Sequence, residues 1–368
     1  GEGSGVTRFH ALWEVDAGYG DAGHALVTSG VDKLVFVGST AIGRKVMESA
    51  AGTLTPVVLE LGGKDPFIVC DDADLNQLMP FALRGTFQSM GQNCTGAERF
   101  IVQEGAHDKF VDMAVTAARA LRQGPALGPN FVDCGALCMP NHAAHLQSLV
   151  DDAVAKGATV LAGGQLPGEG SVGQFYPPTV ITSMTPDMRI MREEVFGPIL
   201  PISKVASDEE AIALANDCPF GLGSSVFSSN QARARAIAAR MHAGMTSIND
   251  FAATYMSQSL PFGGVKDSGF DRFGGVEGLR GCCYTKAVCE DRLPSLMKTN
   301  IPPMLQYPVS EVAFDFVAAL CKLFYGLGFI DRMEALVIMA KCFLMPSSVK
   351  RHSAAGAQSA GLKTGKSE

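Results

Sequence analysis

Val31-Asp32-Lys33-Leu34-Val35-Phe36-Val37-Gly38-Ser39-Thr40-Ala41-Ile42-Gly43-Arg44 is the stretch whose reading decides the fold class. Its first half is β-branched and apolar, the mark of a buried strand. Gly38 and Ser39 then make a turn, and a helical stretch runs to about Ala51. Strand, small-residue turn and helix in that order present backbone N–H groups and a helix N-terminus to a pyrophosphate. The same pattern also serves as a plain structural turn, so other residues must decide between the two.

The alternation continues outward. Thr55 to Leu61 and Pro66 to Cys70 read as further buried strands, and Asp71-Asp72-Ala73-Asp74 as an acidic helix start. Leu75 to Ser89 reads as helix, Gly91 to Thr95 as loop and Ala97 to Gln103 as strand. Helices predicted over Ala143 to Lys156 and Asp208 to Asn216 precede strands at Thr159 to Leu161 and Ser224 to Phe227. This is the pattern of an open α/β fold with a mainly parallel sheet.

Bulk properties narrow the functions. A chain of 368 residues accommodates two domains and a large core. A net charge of −7 and a pI near 5.6 argue against a nucleic-acid partner, which needs a basic patch. The ten cysteines contain no Cys-x-x-Cys pair, so neither a zinc site nor another metal site is expected. They read as reduced thiols of a cytoplasmic protein.

Two short runs carry candidate chemistry. Leu59-Glu60-Leu61-Gly62-Gly63-Lys64 places a carboxylate at a strand end beside two glycines, where ligands can approach the backbone closely. Met90-Gly91-Gln92-Asn93-Cys94-Thr95-Gly96-Ala97-Glu98-Arg99 places a thiol in a turn of small residues. Taken alone, Cys94 reads as an inert core thiol and Glu60 as a solvated carboxylate. With Phe36 to Thr40 upstream, Glu193-Glu194-Val195-Phe196-Gly197-Pro198 downstream and Pro261-Phe262-Gly263-Gly264-Val265-Lys266-Asp267-Ser268-Gly269 beyond, the chain resembles the NAD(P)-dependent aldehyde dehydrogenase superfamily over roughly residues 15 to 290.

That resemblance implies oxidation of a small-molecule aldehyde to an acid with NAD or NADP. Cys94 would be the nucleophile and Glu60 the general base for thioester hydrolysis. Gly38, Ser39 and Leu61 would contact the cofactor, Glu194 its nicotinamide ribose, with Phe196 packed nearby, and Phe262 would line the aldehyde tunnel. Asn249 reads as structural. A lysine common in the family near 142–147 is replaced here by His142 and His145, and no Pro-Trp-Asn motif is present, since Trp13 lies in another context.

The implied architecture is an aldehyde dehydrogenase-like α/β fold, with a truncated Rossmann-type cofactor domain and a parallel-sheet catalytic domain. Its expected parts are a remnant of the NAD(P)-binding domain over 1–62, a catalytic domain over 63–263 and a return segment over 264–300. Tyr284 to Glu290 should form an oligomerisation strand in a dimer or tetramer. Roughly the first two hundred residues of a family member have no counterpart, which predicts weak NAD(P) binding by this chain and leaves an inactive assembly partner as the alternative. Residues 301–346 form an apolar tail, suited to lying on the cytosolic face of a membrane or to burial against a partner subunit. Residues 347–368 are polar enough for disorder.

Overall fold

The computed structural model describes residues 17–168, 173–251, 253–296 and 298–344. Trp13 and the polar tail over 347–368 lie outside the described residues. The chain divides into two units, Gly1–Thr285 and Lys286–Glu368.

The first unit opens with α1 (Gly20–Val27), β1 (Leu34–Val37), α2 (Thr40–Ala51) and β2 (Val57–Glu60). There follow β3 (Asp65–Val69), α3 (Leu75–Phe87), β4 (Ala97–Gln103), α4 (Glu104–Ala120) and α5 (His142–Ala155). The rest comprises β5 (Thr159–Ala162), β6 (Thr179–Thr182), β7 (Ile199–Val205), α6 (Asp208–Asn216), β8 (Ser225–Phe227), α7 (Gln231–Ala238), β9 (Ser247–Ile248), α8 (Ala253–Met256), β10 (Gly269–Phe270) and α9 (Gly275–Gly281).

Two sheets result. The larger has seven strands in the order β5-β6-β7-β4-β3-β8-β9, parallel except for the β5–β6 pair. The smaller has three, with β2 between parallel β1 and antiparallel β10. The chain passes from one sheet to the other between Glu60 and Asp65. Asp74, at the predicted acidic helix start, caps α3 by accepting from the N–H groups of Asn76 and Gln77.

Helices on both faces of a parallel sheet leave no exposed strand surface, so its strands read as unbroken apolar runs. Every residue of β3 and β4 is buried. Phe67 sits at the centre, its ring 4.8 Å from Phe100 and 4.5 Å from Phe227. The observed β3 begins one residue before the prediction, because Asp65 pairs with Ala97 ahead of an irregularity that admits Pro66. Arg99 is also buried within β4, where its guanidinium donates to the carbonyls of Lys64, Leu214 and Ala215. A cation there satisfies carbonyls at the C-terminal end of α6, which helix geometry leaves open.

Tyr284 to Glu290, expected to pair with a neighbouring subunit's sheet, has no strand pairing among the described residues of the single chain. Tyr284 and Val288 are 77% and 76% exposed.

The second unit contains α10 (Ala313–Tyr325) and α11 (Phe329–Leu344), packed together as a helical hairpin. Gly326 takes an extended backbone and ends α10. The apolar run over 312–330 is therefore two helices and a turn, and among the described residues no helix is long and apolar enough to cross a membrane. Phe316 and Cys342 are buried between the two helices. Phe314, Phe324, Ile330 and Leu344 remain largely exposed.

Candidate active site

Glu60 closes β2, with β1 on one side and β10 on the other. Its carbonyl accepts from Gly38 N–H at 3.0 Å, and Leu61 N–H donates to Ser268 C=O at 3.1 Å. The strand end is thereby fixed to the Gly38-Ser39 turn and to the glycine-dense loop over 261–269. The Glu60 carboxyl is 1% exposed, and neither oxygen has a hydrogen-bond partner among the described residues. Burial pushes its pKa up, and the adjacent Cys94 thiol offsets part of that rise.

Cys94 follows a tight backbone passage. Ser89, Met90 and Gly91 all have positive φ, at 53°, 61° and 69°. The next turn is shaped by Asn93, whose Oδ1 accepts from both the N–H and the hydroxyl of Thr95 at 3.2 Å. The Cys94 side chain is half-buried and packs against the cluster of Leu222, Met245 and Phe262, which Phe273 also joins. Burial, and after it the negative charge of Glu60, push the thiol well above its ordinary range. A thiol raised in this way favours its protonated form, and the carboxyl beside it bears on when it ionises.

Three motifs meet at glycine positions. Gly62, at φ 79°, lies so close to Glu194 that a Cβ would overlap the carboxyl. Gly91 crosses the backbone of Gly197 with equally little room, and a Cβ on Gly63 would lie 2.9 Å from the Cys94 carbonyl. Glu194 accepts from Gly63 N–H at 3.2 Å, and burial, reinforced by the charge of Glu98, raises it to about 8. A longer side chain at any of these glycines would drive the motifs apart.

The residues predicted for a dinucleotide occupy one connected region. Gly38 is half-buried and Ser39 exposed at the N-terminus of α2, where Ser39 Oγ accepts from Ile42 N–H. Leu61 is 4% exposed with its side chain against Gly43, so a ligand would meet its backbone. Phe196 follows Glu194 at φ 48°. Phe262 is buried beside the thiol and pairs through its backbone with Phe273. Asn249 bonds both backbone groups of Ser228, a structural role.

Sequence reasoning left Lys64 and Glu98 without a role. They form a buried ion pair at 2.8 Å. A charged residue opening an apolar strand is the signal that such a partner exists. Leu222 and Met245 were also missed, because nothing in their local sequence marks them as part of the cluster that meets the thiol.

Comparison with known proteins agrees with this geometry. The aldehyde dehydrogenase family model matches residues 14–288. An aldehyde dehydrogenase-like protein of Schizosaccharomyces pombe is 42% identical over 310 residues, 83% of this chain and 59% of that protein. The NADP-dependent succinate-semialdehyde dehydrogenase of Mycobacterium leprae is 39% identical, over 68% of this chain and 54% of its own. Among solved structures, betaine aldehyde dehydrogenase from Staphylococcus aureus, in complex with NAD, superimposes with a TM-score of 0.66 at 36% identity, covering 70% of this chain and 51% of that one. An NAD-dependent aldehyde dehydrogenase from Sinorhizobium meliloti gives 0.68 at 39%, over 72% and 52%. The chain thus spans about half the length of the relatives it matches. Over residues 14–288, its sequence and fold place it in the aldehyde dehydrogenase family.

Proposed function

We infer that the protein carries the reacting half of an NAD(P)-dependent aldehyde dehydrogenase, oxidising an aldehyde to a carboxylic acid. The observation that carries this reading is the meeting of the Cys94 turn with the Leu61–Gly63 turn, which sets the thiol beside the buried, unpartnered carboxyl of Glu60. In the proposed reaction the Cys94 sulfur, once deprotonated, attacks the aldehyde carbon. A C–S bond forms and the carbonyl π electrons move to oxygen. As that oxygen's electron pair re-forms the carbonyl, hydride leaves carbon and a thioester remains on Cys94.

Bound NAD(P) supplies the hydride acceptor, and Gly38, Ser39, the Leu61 backbone, Glu194 and Phe196 are the residues that would hold it. Glu60 then takes a proton from water, whose oxygen attacks the thioester. The C–S bond breaks, the acid departs and the thiol is restored. A raised carboxyl pKa suits Glu60 to accepting that proton near neutral pH. Leu222, Met245, Phe262 and Phe273 form an apolar wall suited to the hydrocarbon part of the aldehyde.

An activated ester tests the reading without a dinucleotide, because acyl transfer to Cys94 gives the same thioester. Turnover of p-nitrophenyl acetate should be present and should disappear in Cys94→Ser. Absence of turnover from the folded chain would favour a non-catalytic assembly partner instead.

The tail hairpin supports a second element of the proposal, attachment to a lipid surface. Phe314, Val317, Phe324 and Tyr325 form an exposed apolar stripe on α10, apart from the face that meets α11. A helix carrying a second apolar stripe, followed by Lys350, Arg351, Lys363 and Lys366 in the chain, suits an anionic bilayer surface. Flotation with phosphatidylserine vesicles, lost on deleting 301–346, is the expected result. Equal flotation of both forms would remove this element and leave the proposed reaction intact.

A further inference from the structure

The geometry points to Glu98 and His142 as positioning residues that together lock the backbone at Phe196 and so aim Glu194 and Phe196 at the dinucleotide. This rests on the cofactor role proposed above for the segment over 194–196. Phe196 is a non-glycine residue at φ 48°, a conformation that surrounding contacts must maintain. The φ and ψ angles of a residue are fixed by the orientations of the two peptide planes that flank it. Both planes at Phe196 are tied to side chains from other elements. Its N–H donates to Glu98 Oε1 at 2.8 Å, and its carbonyl accepts from His142 Nε2 at 2.9 Å.

Glu98 is built for this task. It lies four residues after Cys94, with its side chain 5% exposed. Its other oxygen, Oε2, accepts from Val195 N–H at 2.8 Å and from the Lys64 ammonium at 2.8 Å. Three donors on one buried carboxylate account for its charge, and Lys64 is itself fully buried against it. Two successive N–H groups, those of Val195 and Phe196, are thus held from one side and the Phe196 carbonyl from the other. His142 opens α5, and Leu146, one turn on, fills the space against Gly197. The segment is fastened at each peptide after Glu194, while Gly63 N–H holds the Glu194 carboxyl itself. Lys64 and Glu98 belong to the two runs that carry Glu60 and Cys94, so the clamp joins the proposed cofactor contacts to the reacting groups.

The test compares His142→Ala, His142→Gln and Glu98→Gln in the full chain by amide hydrogen exchange and by NADH titration. Glutamine at 142 can place an N–H near the position of the imidazole Nε2, whereas alanine cannot. His142→Ala should raise exchange of the peptide over 194–200 at least tenfold, with the β3 peptide over 65–69 unchanged. Any measurable NADH affinity should fall at least fivefold, and His142→Gln should restore both. Glu98→Gln, which loses one of two backbone acceptors, should raise exchange in the same peptide further. Unchanged exchange at 194–200 in His142→Ala would overturn the clamp, as would a rise spread equally over 65–69. Should the unmodified chain bind no NADH, the cofactor reading fails by itself, and the exchange pattern still decides whether the clamp exists.

Discussion

Leu34-Val35-Phe36-Val37 in β1 and Pro66-Phe67-Ile68-Val69 in β3 read almost alike, yet the folded chain treats them oppositely. In β3 the residues Phe67, Ile68 and Val69 are all 0% exposed. In β1, Val35 and Val37 are 58% and 61% exposed, and β1 is an edge strand of the three-stranded sheet. The centre of the large sheet has packing on both faces, whereas among the described residues the outer strand of the small sheet has one uncovered apolar face. The contrast also divides the proposed chemistry. Cys94 lies next to the fully packed sheet, just before β4, while Gly38 and Ser39 follow the half-covered strand. Glu60 stands at the junction, ending a strand of the small sheet and facing a thiol held by the large one.

Four experiments test the difference between the two sheets. The largest effect is expected in the reacting pair. Cys94→Ser should lower p-nitrophenyl acetate turnover roughly 10³-fold or more, and Glu60→Gln about 10²–10⁴-fold with a stoichiometric burst of nitrophenol. A burst absent from Glu60→Gln would place the base in acylation rather than hydrolysis.

Next comes packing. Phe67→Ala in the large sheet should cost about 3–5 kcal/mol in urea denaturation. A loss under about 1 kcal/mol would show that the core closes over the missing ring.

The third effect concerns pH. Burial raises Asp65 from an ordinary 3.8 to about 8, with one carboxyl oxygen lacking a partner among the described residues. The folded state therefore keeps a proton that the unfolded chain has already released. Stability falls as pH rises through that window, by at most one proton's worth of slope. Asp65→Asn should flatten the curve and be the more stable form at about pH 9. Parallel curves for the two proteins would mean that Asp65 is ionised in the fold.

The smallest effect is expected on the small sheet. Val35→Thr should change stability by no more than about 0.5 kcal/mol in either direction. A loss comparable with that of Phe67→Ala would show that the outer face of β1 is covered in solution.

The turns of the candidate site were legible because they are locally encoded. Glu60 beside Gly62-Gly63, and Cys94 between Asn93 and Thr95, carry their turns in their own sequence, and the Asn93 side chain shapes the turn it belongs to. Glu98 and Lys64 lie in those same runs, yet their pairing is invisible there because thirty-four positions separate them. Tyr284 to Glu290, expected to pair with a neighbouring subunit, is a related case: strand propensity is local, but its hydrogen-bond partner is not. His142 was read as the loss of a lysine, and in the structure it fastens the carbonyl of Phe196.

The alternation of strands and helices, the apolar runs that form sheet and the candidate sulfur and carboxyl can all be read from the amino-acid order. Backbone periodicity and turn chemistry act over a few residues, and both can be read off a string. Only the tertiary structure decided that Val35 is bare while Ile68 is sealed, that glycines 62, 63 and 91 let three distant segments touch, and that one buried glutamate holds the backbone after Glu194. Burial and long-range pairing arise from what packs against a residue, and that is set by the whole fold rather than by its neighbours in the chain.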